Sequence, residues 1–243
     1  MLQDMLRELK QVVITDRDIE IFRFLNEQKF MVAGQIYEVF WPKSDVSSGT
    51  ARQRLTKLVS AGYIKMTDVP RDKKEKVRLF LLTEKGIQVL KGKGLDHGFA
   101  EIQTPNPYTI EHTLKLAAIR CVFRDLGETA WRSERLIRKE DEKREFFPDA
   151  ILEIRGRKTA IELENSFRQR EKYVARFGKY IKLFEFDLVI YVLSWTMVKD
   201  WLLNIEAPQD MFCFVLYDEL LSKRRDAKLV NKTSRITLGS LLG

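Results

Sequence analysis

The run FPDAILEIRGRKTAIELEN, residues 147–165, constrains the chain more tightly than any other stretch. Two apolar, strand-like segments, AILEI and KTAIELE, flank an RGRK turn, and glycine at that turn predicts an antiparallel hairpin. Period-two alternation in the second strand puts Thr159, Ile161 and Leu163 on one face and Ala160, Glu162 and Glu164 on the other. The two glutamates then lie about 6.6 Å apart along one face. Asp149, after Pro148 at the start of the partner strand, approaches the same face. Two readings follow. The carboxylates are either the solvated face of a hairpin or hard oxygen donors converging on Mg²⁺ or Mn²⁺, a donor set that suits phosphodiester chemistry.

The surrounding pattern supports a mixed sheet. A helix over YTIEHTLKLAAIRCVFRDL precedes the hairpin, and AWRSERLIRKEDEKREFF between them reads as a strand at Trp131 followed by a segment too charged to bury. Beyond the hairpin, FRQREKYVARFGKYIKLFE predicts a helix, FDLVIYVLS a buried strand, TMVKDWLLNIE a helix and MFCFVLYD a strand. Apolar strands alternating with helices imply a sheet covered on both faces, an α/β (α+β) architecture. The SKRRDAKLVNKTSR stretch near the end reads as a basic tail that tracks phosphate or is a mobile end.

Charge separates the two ends of the chain. Of 243 residues, 32% are charged with a formal net charge of +8. Residues 43–93 hold 13 Lys or Arg against 5 Asp or Glu, whereas residues 1–42 hold 5 against 7. A focused basic excess points to a polyanion surface. In that region, TDRDIEIFRFLNE begins with an N-cap threonine and predicts a first helix, MVAGQIYEVFW a second, and SGTARQRLTKLVSAGYI a third whose stripe of Ala51, Leu55, Leu58 and Val59 ends at Gly62. YIKMTDVPRDKKEKVRLFLLT then predicts a β-hairpin with a charged tip, and TEKGIQVLKG a closing helix capped by Thr83.

This order, and RQRLTKLVSAGYIK in particular, resembles a winged helix-turn-helix domain. Packing of helix three through Ala51, Leu55 and Leu58 turns Gly49, Thr50, Gln53, Thr56 and Lys57 outward, with Arg52 and Arg54 on the flanks. Gln and Arg at such positions read base edges in a major groove; Lys and Thr hold phosphates. Lys73, Lys74 and Lys76 at the wing tip would add salt-sensitive backbone contacts with double-stranded DNA. A winged helix used for protein contacts is the alternative.

KGKGLDHGFAEIQTPNPY, residues 91–108, is rich in Gly and Pro and lacks periodicity. The domains expected are therefore 1–93, a linker at 94–107, and 108–243. His97 in the linker has no evident partner, and His112 suits a capping or packing role. The longest apolar runs fall short of a membrane helix, and MLQDMLRELKQ lacks a signal-peptide core, so a cytoplasmic protein is expected. Cys121 and Cys213 have no Cys or His at metal-ligand spacing and read as reduced core residues.

The second half resembles the PD-(D/E)xK, restriction-endonuclease-like superfamily. That resemblance assigns Asp149 as its aspartate, Glu162 as the second acid and Glu134 as the first, with Glu164 where the superfamily commonly has lysine. Arg168, Lys172 or Lys179 would have to supply the missing cation. The whole chain resembles the replication-relaxation family of plasmid and conjugative-element proteins, through the winged helix, EHTLKLAAIR, WRSERL, PDAILEI, IELEN, and Arg176 ahead of Tyr180. An acid in place of the lysine is usual there. The resemblance implies nicking at a transfer or replication origin, with Asp149, Glu162 and Glu164 holding Mg or Mn and with mobilisation or replication accessory proteins as partners; a homodimer is expected because one recognition helix covers only a few base pairs and half-sites come in pairs. The alternative is a DNA-binding regulator whose nuclease-like domain is catalytically silent. Two distant histidines exclude a relaxase built on clustered histidines and a tyrosine nucleophile.

Overall fold

The structure is a computed structural model that describes residues 12–41, 48–70, 75–127, 130–166, 169–205 and 211–243. It divides into two compact units, residues 1–117 and 118–243.

In the first unit, α1 (Asp16–Gln28) starts at Thr15, whose hydroxyl accepts from the Asp18 amide while the Asp18 carboxylate accepts from the Thr15 amide at 2.7 Å. This reciprocal cap satisfies two donors that a bare helix start would leave exposed. Phe22 and Leu25 of α1 are buried, as are Ile36 and Phe40 of α2 (Ala33–Phe40). In α3 (Ser48–Ser60), Ala51, Leu55 and Leu58 face the core. Gly62 ends this helix with φ +76°, and the Tyr63 amide bonds back to the Leu58 carbonyl at 3.0 Å.

The wing is β1 (Ile64–Pro70) paired antiparallel with β2 (Lys76–Leu82), in register from Ile64 opposite Leu82 to Pro70 opposite Lys76. Met31 makes an isolated antiparallel bridge to Phe80. Then α4 (Glu84–Gly92), capped by Thr83, closes the fold. Gly86 is required here: a Cβ would stand 2.3 Å from Leu82 Cδ1 and 2.7 Å from the Tyr63 carbonyl oxygen. Among the described residues, three helices, a two-stranded wing and a closing helix make this unit a winged helix.

The stretch expected as a linker, 94–107, is instead attached to the first unit. Phe99 is buried, and Glu101 accepts from Lys65 Nζ at 2.5 Å and from the Glu84 amide at 2.7 Å. The first turns of α5 (Ile110–Asp125) continue the attachment: Ile110 packs with Phe30, Leu79 and Leu81, and Gln35 donates to the Leu114 carbonyl at 2.7 Å. The division therefore falls inside α5. Gly and Pro signal irregular backbone, which need not be a free tether. His97, which has no partner evident in the sequence, sits 3.5 Å from the buried Glu27 carboxylate.

Among the described residues, the second unit is built on a seven-stranded mixed sheet in the order β3 (Arg132–Ser133), β4 (Ala150–Ile154), β5 (Arg157–Glu164), β6 (Leu188–Leu193), β7 (Phe212–Leu216), β8 (Lys228–Val230), β9 (Arg235–Thr237). β4 and β5 form the expected antiparallel hairpin, turning at Arg155 (φ +52°) and Gly156 (φ +74°), while β5, β6 and β7 run parallel. Between β3 and β4 lies α6 (Glu134–Glu140); Leu136 and Ile137 are buried in it, so the charged segment does hold a core-facing helix. The parallel crossovers are α7 (Arg170–Leu183) and α8 (Thr196–Leu202).

Tyr173, Phe177 and Tyr180 of α7 pack onto Tyr191, Phe212 and Phe214, with Phe177 stacked on Phe212 at 4.5 Å. The basic run near the end is ordered into the fold. After α9 (Tyr217–Lys223), β8 and β9 extend the sheet around an Asn231 turn, and α10 (Leu238–Leu242) follows. The lysines and arginines around Ala227, Leu229 and Ile236 hide their short apolar alternation. Cys121 and Cys213 are buried core residues, as expected. Among the described residues no helix is long and apolar enough to cross a membrane.

Candidate functional site

On α3 the apolar stripe faces inward, and the opposite face carries Thr50, Arg52, Gln53, Thr56 and Lys57, all exposed. Neither Arg52 nor Lys57 forms an ion pair among the described residues. Lys76 is exposed at the start of β2. A cleft of about 700 Å³ is lined by residues of α2, α3 and the wing, among them Tyr37, Arg52, Leu55, Thr56, Lys76 and Arg78. Arg78 is committed to Asp68 at 2.8 Å, which leaves Arg52 and Lys76 as the cations that can answer an anion there. Lys73 and Lys74 lie outside the described residues.

Arg54 does not belong to this face. Its Nε donates to Asp18 Oδ1 at 2.9 Å, its Nη2 to Asp18 Oδ2, and the same nitrogen reaches the Val13 carbonyl at 2.7 Å. Asp18 has no exposed side-chain surface. Burial alone would raise its carboxyl, but Arg54 and the Thr15 hydrogen bonds outweigh burial and hold it below the ordinary value. The helical period places Arg54 on a flank, and the acid of α1 draws it inward.

In the second unit the alternation of β5 is as read: Glu162 and Glu164 share the face covered by α7, and both are buried. Arg176 of α7 grips Glu162 in a fork, Nε to Oε1 at 3.1 Å and Nη2 to Oε2 at 2.5 Å. The Tyr180 hydroxyl also donates to Oε1. Burial pushes the Glu162 carboxyl upward, the Asp149 charge adds to the push, and Arg176 and Tyr180 oppose it. Burial likewise pushes the Tyr180 and Tyr191 hydroxyls well up.

Asp149 is near enough to act on Glu162, and its Oδ2 accepts from the Leu163 amide at 2.7 Å. Glu164 Oε1 accepts from the Ser166 amide at 3.3 Å and its hydroxyl at 3.0 Å. Glu134 begins α6; its amide donates to the Asp149 carbonyl at 2.9 Å, but its carboxylate pairs with Arg138 at 2.6 Å. Lys172 and Lys179 lie on the exposed side of α7, Lys179 Nζ resting 5.6 Å from the Phe146 ring centroid. Neither lysine pairs with the three acids among the described residues, and Arg168 lies outside them.

These donors do not fit Mg²⁺ or Mn²⁺ as they stand. Both oxygens of Glu162 are engaged by Arg176, Asp149 and Glu164 each give an oxygen to neighbouring donors, and no group of three His, Cys, Asp or Glu among the described residues is placed to hold a metal ion. The sequence marks Arg176 and Tyr180 only through a likeness and directs the search for a cation to Arg168 and the lysines. The reach of Arg176 follows from its place one turn before Tyr180 on the buried side of α7. Tyr191 was missed, although the alternation of LVIYVL sets it on the glutamate face, where it pairs in register with Glu162.

A family model described as replication-relaxation matches residues 22–188. No curated protein matches the chain. Among solved structures, a single-residue mutant of Lactococcus lactis ZitR is 28% identical over 36% of this chain and 56% of its own, with a TM-score of 0.27. The match thus spans a little over half of ZitR. Bacillus subtilis PadR in complex with operator DNA is 15% identical over 47% of this chain and 68% of its own, with a TM-score of 0.28. The family match extends from α1 to the start of β6 and covers well over half of the sequence, so the chain belongs to the replication-relaxation family.

Proposed function

We propose that this is a double-stranded DNA-binding protein that reads sequence through α3. The single observation that carries the reading is the outer face of α3, where Thr50, Arg52, Gln53 and Lys57 are exposed while the helix is anchored by Leu55 and Leu58. Gln53 and Arg52 supply base-edge donors and acceptors; Lys57, Thr50 and Lys76 supply phosphate contacts. One such helix covers only a few base pairs, so a homodimer on paired half-sites accompanies the proposal. Footprinting on the DNA adjoining the gene tests it: two protected tracts about one helical turn apart are expected, and uniform, sequence-independent protection contradicts it.

The finer reading, a metal-dependent origin nickase or relaxase, depends on the second unit. In its favour, Asp149 and Glu162 interact at the sheet position that the nuclease resemblance assigns to them. Against it stands the engagement of Glu162 by Arg176 and Tyr180. A supercoiled plasmid carrying the native locus, incubated with Mg²⁺, Mn²⁺ or EDTA, separates the alternatives. Metal-dependent open circles lost in Glu162→Gln support nicking; a shifted but uncut plasmid supports a DNA-binding regulator.

A further inference from the structure

The strongest unexplained feature of the second unit is a buried cation where the nuclease resemblance leads one to look for a metal. Arg176 presents two nitrogens to the two oxygens of Glu162, from a helix locked by Tyr173, Phe177 and Tyr180 in the aromatic core. The Phe146 ring backs the guanidinium, with the carbon at its centre 4.9 Å from the ring centroid. Burial would pull the Arg176 charge down, yet Glu162 outweighs burial and keeps the guanidinium protonated.

A second observation marks the same interior. The Tyr191 hydroxyl is buried, has no hydrogen-bond partner among the described residues, and feels Glu162, Arg176, Glu164 and Asp149 together. A buried hydroxyl without a partner is uncommon in a well-packed core, and this one belongs to a residue in register with Glu162, while its ring packs against Phe177, Phe212 and Phe214. The carboxylate of Glu162 in this core is already neutralised from within, by Arg176.

We infer that Arg176 is the resident cation of this carboxylate centre, an internal guanidinium that takes the place of a divalent metal and closes Asp149, Glu162 and Glu164 to Mg²⁺ and Mn²⁺ while the pair stands. A forked guanidinium matches a carboxylate in both charge and geometry, so a divalent ion gains Glu162 only by displacing two charge-assisted hydrogen bonds. Removal of Arg176 by substitution releases both Glu162 oxygens, so that the acids, which are not grouped for a metal ion while the pair stands, can turn to share one. The inference concerns the second unit alone and stands or falls independently of DNA binding through α3.

The test is Mn²⁺ binding to the full chain, followed by the paramagnetic resonance of free Mn²⁺ and by the shift in melting temperature, for wild type, Arg176→Met and Arg176→Met with Glu162→Gln. Arg176→Met keeps the bulk of the side chain and removes its charge. The expected result is no saturable Mn²⁺ binding by wild type, saturable binding by Arg176→Met with a matching Mn²⁺-dependent rise in its melting temperature, and loss of both in the double variant. Arg176→Lys serves as the second variant should Arg176→Met not fold: a point charge cannot span both oxygens, and Mn²⁺ binding intermediate between wild type and Arg176→Met is expected. Saturable Mn²⁺ binding by wild type overturns the inference, and so does failure of both substitutions to create a site.

Discussion

Arg54 of α3 clasps Asp18 of α1 through two guanidinium nitrogens, turning a cation of the DNA-facing helix into a fastening between two helices of the winged unit. Asp18 is buried and also caps its own helix, so one carboxylate joins the start of α1 to the middle of α3. Arg54→Ala leaves that carboxylate buried without its counter-charge. The expected loss is about 3 kcal/mol of stability in the first unit. Urea unfolding of wild type and variant measures it; an unchanged midpoint would show that the pair contributes nothing.

The same pair gives the unit an acid limb. Because the folded Asp18 carboxyl is held below its ordinary value, its contribution is complete above the unfolded value of about 3.9 and is lost as pH falls through the lower, folded value. Melting temperatures between neutral and strongly acid pH should fall less steeply in Asp18→Asn than in wild type, from a lower starting point. Parallel curves would refute the linkage.

In the second unit, Tyr180→Phe removes one of three donors to Glu162 and leaves Arg176 in place. A loss of about 1 kcal/mol is expected, since the carboxylate keeps its fork. Glu162→Gln should cost more, about 3 kcal/mol, because it leaves Arg176 largely buried beside a neutral amide. Chemical denaturation orders the two, and the reverse order would contradict the pairing.

Gln53 and Lys57 separate specificity from affinity on α3. Gln53→Ala should relax preference at one base pair by about 1–3 kcal/mol of discrimination. Lys57→Ala should weaken all duplexes alike and lower the salt slope by about 1. Competition binding against single-base variants of the site distinguishes the two patterns, and equal effects of both substitutions would contradict the assignment.

The sequence showed these elements unequally. The winged unit was legible because its signals are local: the Thr15 cap, the Ala51, Leu55, Leu58 stripe, the Gly62 stop and the hairpin each declare themselves within a few residues. The β4–β5 hairpin and the shared face of Glu162 and Glu164 were legible for the same reason. What was hidden depends on partners distant in the chain. Asp18 lies 36 residues from Arg54, and Glu101 the same distance from Lys65. No periodicity records that a segment rich in Gly and Pro packs through Phe99 and Glu101. The strands β8 and β9 are three residues each, too short for alternation to stand out among basic neighbours.

The most direct measurement is fluorescence anisotropy of a labelled duplex from the native locus, titrated over a range of salt with wild type, Arg52→Ala/Lys57→Ala and, as control, Lys172→Ala/Lys179→Ala. The account predicts tight, steeply salt-dependent binding by wild type, a slope lower by about 2 in the α3 variant, and a smaller change in the control. An α3 variant that binds as wild type does, with the same slope, would contradict DNA recognition through this helix.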